Sequence, residues 1–274
     1  VIIVLTGFIF TLRLFFLQVL DDSNKREAAN MSERRVTIYP SRGLIFDRNK
    51  ELLVANRAIY DLMIVPKDVE HIDTSFFCQL IGINTQEYIE RLEKAKAFST
   101  HKPSIFEKQI PAIDYAKIAG HLHKFSGFYG QSRTLRTYPN STASHTLGYI
   151  GEANQSQVGD GKYYKSGDYI GVNGLEKAYE EELRGTRGVK YMLVDVYNNA
   201  QGSYKNGRFD SLAQSGANLR TGIDAALQQY GELLLQNKRG SIVAIEPKTG
   251  EILALVTQPN YDPNLLVGRI RNEN

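Results

Sequence analysis

The stretch Ser41–Pro66, SRGLIFDRNKELLVANRAIYDLMIVP, decides how the chain is to be read. Leu44-Ile45-Phe46 is strand-like, and Asp47-Arg48-Asn49-Lys50 supplies the polar residues of a hairpin turn. Leu52-Leu53-Val54 resumes as a strand, and Ile59–Val65 is another, ended by Pro66, which cannot donate to a ladder. Gly43 permits a bend or a close backbone approach. Arg42, Asp47 and Arg48 bracket the turn, and an arginine's planar fork is suited to clamping it.

Upstream, Val36-Thr37-Ile38-Tyr39 is strand-like, and residues 21–35, with four acids and four bases, read as a polar stalk or helical extension. Val1–Leu20 is apolar apart from Thr6, Thr11, Arg13 and Gln18. Twenty helical residues span about 30 Å, enough for a bilayer core. Val1–Leu12, the uninterrupted part, spans only about 18 Å, so the span is expected to begin upstream of Val1 with Arg13 at an interface. A cleaved signal peptide requires small residues at its cleavage site, which Leu17-Gln18-Val19-Leu20 does not offer. The reading is an uncleaved anchor in the lipid bilayer, with a buried core helix as the alternative.

Downstream, Phe76, Phe77, Leu80 and Ile81 follow helical spacing with Gly82 as C-cap. Asn84 and Glu87 form a capping box for a helix whose apolar face is Tyr88, Ile89 and Leu92. A third helix is expected from Asp114 to about His123, with Ile118 and Leu122 inward, and a strand over 128–135. Residues 151–171, rich in Gly, Ser, Asp and Gln, read as a long surface loop. A helix over 175–183, a strand over 191–196 and a connector over 205–216 follow. Asp224 then caps a helix running to about Asn237, with Leu227, Leu234 and Leu235 available for burial. Two strands, 241–245 and 252–256, are joined by the hairpin Glu246–Glu251.

Net charge is +3, but Lys and Arg are scattered among acids, so no nucleic-acid partner is expected. The aromatics fall inside strand-like and helix-like runs and read as core. Cys78 is the one cysteine; it lies in an apolar run and reads as a small buried hydrophobe. His121-x-His123 would share a face only in a strand, and its context is helical, so no metal is expected. No nucleotide, dinucleotide or zincin motif is present, and no cofactor is expected.

Four segments in order resemble the class B penicillin-binding protein family. They are Ser41–Asn49; Arg136-Thr137-Tyr138-Pro139 with Ala143–Gly151, including His145 and Gly148; Gly174-Leu175-Glu176 through Gly185; and Thr221–Asp224 with Val243–Ala254. The elongation-type branch is the most similar. Two departures stand in loops. Lys50 occupies a position where the family often has Gly, leaving Asn49 to carry a left-handed conformation, which it tolerates. Ser141 replaces a Gly common after Tyr-Pro.

The resemblance implies an α+β fold. Its parts are a membrane anchor (1–20), a stalk (21–35), an elongated pedestal or dimerisation domain (36–205), and the first helix and strands of a β-lactamase-like serine transpeptidase domain (206–274). It implies a D,D-transpeptidase that cross-links peptidoglycan stem peptides through a serine acyl-enzyme and binds penicillin. It also implies a bacterial inner-membrane protein with its bulk in the periplasm. The implied partners are a SEDS-family membrane glycosyltransferase and scaffold proteins of the elongation machinery. The motif residues Arg42, Gly43, Asp47, Arg48, Arg136, Tyr138, Pro139, His145, Gly148, Gly174 and Glu176 take structural or interdomain roles.

Catalysis in that family needs S-x-x-K, S-x-N and then K-T-G. Ser99-Thr100-His101-Lys102 and Lys248-Thr249-Gly250 match in form only. The first precedes Pro103 and has no following S-x-N, and the second is read as a hairpin turn. The nucleophile is expected beyond Asn274, and this stretch is expected to be inactive alone. The alternatives are a septal member of the family, a non-enzymatic membrane-tethered interaction module, and a sensor ectodomain.

Overall fold

The computed structural model describes residues 6, 13, 32–70, 72–159, 163–194 and 200–267. The expected anchor, apart from Thr6 and Arg13, and residues 21–31 of the expected stalk lie outside them. Among the described residues no helix is long and apolar enough to cross a membrane.

In chain order the elements are β1 (Ser32–Ile38), β2 (Ile45–Phe46), β3 (Leu52–Ile64), α1 (Thr74–Ile81), α2 (Thr85–Phe98), β4 (Ser104–Pro111) and α3 (Ala112–Ala119). Then come β5 (Phe128–Thr137), α4 (Ser144–Leu147), β6 (Ile150–Glu152), β7 (Tyr169–Gly171), α5 (Gly174–Ala178) and α6 (Glu180–Arg184). The last are β8 (Gly188–Val194), β9 (Ala200–Ser203), β10 (Leu219–Arg220), α7 (Ala225–Leu234), β11 (Gly240–Ile245) and β12 (Ile252–Gln258). The class is mixed helix and strand, as expected.

The chain divides into two compact units, residues 1–37 with 189–211, and residues 38–188 with 212–274. The first holds the sheet β1-β8-β9. β1 begins at Ser32, inside the stretch expected to be stalk.

The second unit is organised by β3. This strand pairs with β2 at its start, with β4 over its second half and with β5 from Ala55 to Ile64. The two strands expected here are one strand of 13 residues. Ala55-Asn56-Arg57-Ala58 looks like a linker by hydropathy, yet its backbone continues the β5 ladder without a break.

Two apolar cores result. One gathers Ile45, Val54, Leu135, Leu147, Leu183 and Ile223 around the β2–β3 turn. The other places Phe77 at the centre of an aromatic group, with Phe125, Phe128, Tyr88 and Phe106 within 4.5–5.8 Å between ring centroids. The aromatics of this region are core, and Cys78 is buried among them. Burial, and secondarily the charge of Glu87, pushes the Cys78 thiol up, away from the reactive thiolate.

Asp73 and the Asn84–Glu87 box cap α1 and α2, and Gly82 ends α1 in the left-handed region at φ 72°. Along α2, Tyr88 and Ala95 are buried, while Ile89 is exposed rather than inward. The third helix ends at Ala119, and Leu122–Lys124 is a short 3-10 turn.

Residues 151–171 are not a free loop. β6 and β7 pair antiparallel within it, and its Asp168 is buried. The expected single helix over 175–183 is two, broken at Tyr179. The Glu176 carbonyl that would accept a hydrogen bond one turn on accepts one from Arg42 Nη2 instead, at 3.0 Å.

α7 buries Ala225, Gln228 and Gly231 rather than the expected leucines, and Leu227 and Leu234 are exposed. The small residues let it lie close to β12, where an added Cβ on Gly231 would come within 2.7 Å of Val256. The Gln228 amide donates to the carbonyl of Leu255 and accepts from its N–H, completing one edge position of β12.

Candidate functional site

The two arginines of the sequence motifs converge on one carboxylate. Arg42 precedes β2, Arg136 lies near the end of β5, and Glu176 is in the first turn of α5. Glu176 is wholly buried. Arg42 Nε donates to its Oε2 at 2.7 Å, and Arg136 Nε lies 2.7 Å from its Oε1. The second contact is an ion pair by distance, without the alignment of a hydrogen bond.

Arg42 also forks onto Glu180, Nη1 at 3.0 Å and Nη2 at 2.6 Å. Two guanidiniums and two carboxylates make the cluster formally neutral, which is what lets it be buried. Asn56 ties the arginines together, donating to the Arg42 carbonyl and accepting from Arg136 Nη1.

Burial works against the charge on Arg42, but the hydrogen bonds it donates to Glu180 and the charge of Glu176 outweigh it and raise its pKa. Burial lowers the pKa of Arg136, with Glu176 opposing, yet a guanidinium starts so high that it stays charged. Tyr138 lies buried beside them. Burial first, and then the charge of Glu176, pushes its phenol well above the ordinary value, so it stays neutral.

A second construction surrounds Asp47. Its Oδ1 accepts from Asn49 N at 2.7 Å and Glu51 N at 2.6 Å, which closes the β2–β3 turn. Its Oδ2 accepts from Ala225 N at 3.2 Å, the first residue of α7. One buried carboxylate therefore shapes the turn and satisfies an N–H at a helix N-terminus.

Arg48 donates its N–H to Ile223 O and accepts at its own carbonyl from Arg220. β10 lies parallel to β2 in the same place. The left-handed residue of this turn is Lys50, at φ 70°, and not Asn49. The Asp47 carboxylate holds the Asn49 N–H, so the reversal falls one position later, where the family often has Gly.

The Tyr138-Pro139 segment forms a turn closed by Ser141 N to Tyr138 O. Asn264 brackets that turn, with Oδ1 accepting from Tyr138 N at 2.9 Å and Nδ2 donating to Tyr138 O at 3.0 Å. Ser141 Oγ donates to Asp262, and Glu232 accepts from Ala143 N. His145 is exposed, its Nε2 3.0 Å from Pro259 O and its ring edge-on to Tyr261.

Gly148 and Gly174 sit where helices α4 and α5 meet, at φ 76° and 58°. A Cβ on Gly148 would come within 2.0 Å of Asn173 O. A Cβ on Gly43 would come within 1.8 Å of Ala217 O.

Residues 37–221 match the family model described as the penicillin-binding protein dimerisation domain. The chain belongs to that family. It is 32% identical over 282 residues to the peptidoglycan D,D-transpeptidase MrdA of Escherichia coli K12, which covers 99% of the chain and 44% of the relative. MrdA of Acinetobacter baumannii is 32% identical over 268 residues, covering 95% and 39%.

Among solved structures, the complex between penicillin-binding protein PBP2 and MreC from Helicobacter pylori superposes with a TM-score of 0.70 at 24% identity, covering 88% of this chain and 46% of that one. The PBP2 structure from the same organism gives 0.60 at 25%. The chain spans less than half the length of the curated relatives it matches.

The two strings that match catalytic motifs in form lie at a helix end and in a hairpin turn. Ser99 is the C-cap of α2, and its Oγ accepts from Lys102 N. Lys248-Thr249-Gly250 is the turn between β11 and β12, with Gly250 at φ 77°. No cluster of metal-ligating side chains occurs among the described residues.

Sequence reading missed Asn56, Glu180, Glu232, Asp262 and Asn264. It also missed a second buried charge chain, Asp61–Arg133–Asp168–Arg187, with contacts of 3.2, 3.0 and 2.7 Å. Asp61 is the one acid in the apolar run Ile59–Val65, and that was its signal.

Proposed function

We propose that the chain is the anchor and pedestal of a peptidoglycan D,D-transpeptidase of cell-wall elongation, with the first helix and strands of its transpeptidase domain. The observation that carries the reading is the Asp47 turn. One motif carboxylate of the pedestal is bonded to the first helix of the following segment, at Ala225 N. The proposed division is anchor 1–20, stalk 21–35, pedestal 36–205 and transpeptidase start 206–274.

In this reading the Arg42–Glu176–Arg136 cluster sets the pedestal's geometry, and the Asp47, Asn264 and Asp262 contacts hold the transpeptidase segment on it. The longer protein cross-links stem peptides through a serine acyl-enzyme that this stretch does not itself contain. Residues 1–20 anchor it in the inner membrane with its bulk in the periplasm. Its partners are a SEDS-family glycosyltransferase and a scaffold of the MreC kind, the latter supported by the fold neighbour solved with MreC. The MrdA relatives favour elongation over septation.

Fluorescent penicillin labelling tests the reading, comparing this 274-residue chain with the full product of its gene. Covalent labelling of the full product alone is expected. Labelling of neither would favour a non-enzymatic tethered module, and labelling of the chain itself would put the nucleophile inside it.

A further inference from the structure

A pocket of about 70 Å3 opens in the second unit, between β5, β7 and the end of α6. At about 10–15 Å3 for each water position, it has room for a group the size of a carboxylate. Its wall carries four guanidiniums, those of Arg42, Arg133, Arg184 and Arg187, set among tyrosine rings, Pro40 and Ile150.

Three of the four are matched by buried carboxylates. Arg42 belongs with Arg136, Glu176 and Glu180 to the neutral cluster around Glu176. Arg133 and Arg187 alternate with Asp61 and Asp168, again two charges of each sign. Arg184 is left over. Its one carboxylate among the described residues is Glu181, 3.4 Å away with a side chain 82% exposed, so water screens the pair. Its Nη1 donates to the Tyr164 hydroxyl at a long 3.3 Å, and that hydroxyl is already committed to Glu180, donating to it at 2.6 Å.

Arg184 is nevertheless held in place. Its guanidinium lies 4.0 Å from the ring centre of Tyr163, and that of Arg187 lies 4.3 Å from the same ring. Tyr163 is fixed in turn, its hydroxyl donating to Gly185 O at 3.1 Å and its carbonyl accepting from Arg187 Nη1 at 2.9 Å. Stacking occupies the face of a guanidinium and leaves its N–H edge available. A cation only 24% exposed, with no close anion, is costly until one arrives.

We propose that this pocket binds a carboxylate, free or ending a peptide, with Arg184 as its main contact and Arg187 beside it. The fork of an arginine meets a carboxylate in two places. The surplus is one positive charge, which one carboxylate cancels and a phosphate, carrying more than one charge, exceeds. Pro40, Ile150 and the tyrosine rings suit the carbon atoms behind the carboxylate. Every residue used lies within the second unit, so the proposal does not depend on the transpeptidase reading.

The test is isothermal titration calorimetry of the whole chain in detergent micelles with N-acetyl-glycyl-glycine, the amide of the same dipeptide, acetate and inorganic phosphate. Saturable binding of the free acid is expected, with the amide and phosphate each about tenfold weaker or more. Acetate binding as tightly as the dipeptide would identify a small carboxylate as the ligand, and weaker acetate binding would identify a peptide terminus. Arg184→Gln is expected to weaken binding of the free acid about tenfold or more. Glu181→Gln removes an exposed competitor without disturbing the stack and is expected to tighten binding about twofold.

Absence of saturable binding would overturn the site. Equal binding of the amide would overturn the carboxylate, and tighter binding of phosphate would overturn the charge argument. Unchanged affinity in Arg184→Gln would overturn the assignment of that residue; should that variant not fold, failure of Glu181→Gln to tighten binding does the same.

Discussion

Glu176 is the residue on which the buried cluster turns. It faces two guanidiniums and is itself fully enclosed. Glu176→Gln keeps the shape and removes the charge, leaving Arg42 with Glu180 and Arg136 with no carboxylate. Breaking a buried pair in this way costs about 3–5 kcal/mol. Denaturant unfolding of the variant is expected to show a loss of that size, whereas a loss below about 1 kcal/mol would mean that Glu180 alone balances both arginines. Asp224 makes a contrasting case at the surface. Its carboxylate caps α7 by accepting from Leu227 N at 3.0 Å, and that bond, with help from Asn49, holds its pKa below the ordinary value. A depressed folded pKa gives stability that is full above the unfolded pKa and is lost as pH falls through the folded one. Asn is as good an N-cap as Asp. Asp224→Asn should therefore leave stability at neutral pH nearly unchanged and flatten the acid side of the stability–pH profile. An acid limb as steep as that of the parent would assign the pH dependence to other carboxylates.

At the scale of elements, the α1–α2–β4 region has its own core centred on Phe77, which touches four aromatic rings. Phe77→Ala removes the shared partner of all four and should cost about 3–5 kcal/mol. Hydrogen exchange is expected to speed up in α1, α2 and β4 while the amides of β2 and α7 keep their protection, because those pack in the other core. Uniform loss of protection would show that the two cores unfold together. The Asn84–Glu87 box was legible in the sequence because a cap is a local bond acting within three residues, whereas Asp73, which caps α1 in the same way, was not read. β4 was not legible, since only Phe106 and Ile110 of its eight residues are well buried and the alternation is broken by register shifts. The middle of β3 was missed for a related reason, as Asn56 and Arg57 are held by ladder bonds that hydropathy does not register. Residues 151–171 read as loop because what fixes them, Asp168 between Arg133 and Arg187, spans 35 and 19 positions. The motif arginines could be named from sequence, but their shared carboxylate could not, since Arg42 and Glu176 are 134 positions apart.

At the scale of the whole chain, the polar seams are well matched and one apolar surface is not. Around α7, β11 and β12, the side chains of Tyr230, Leu233, Leu234, Val243, Ile245 and Ile252 are all at least 44% exposed. Two strands and one helix offer only a single buried layer, which Ala225, Gln228 and Gly231 provide against β12. Exposed apolar surface of this extent binds apolar dyes and drives self-association. The isolated chain is therefore expected to enhance the fluorescence of an anilinonaphthalene sulfonate and to sediment as a concentration-dependent mixture. Leu233→Lys with Val243→Lys should suppress both effects without lowering thermal stability, because neither side chain is packed. If dye binding and self-association instead survive these changes and fall with Phe98→Ser, the exposed surface that governs association is the one around Phe98 at the end of α2, and the α7 hairpin is adequately covered as it stands.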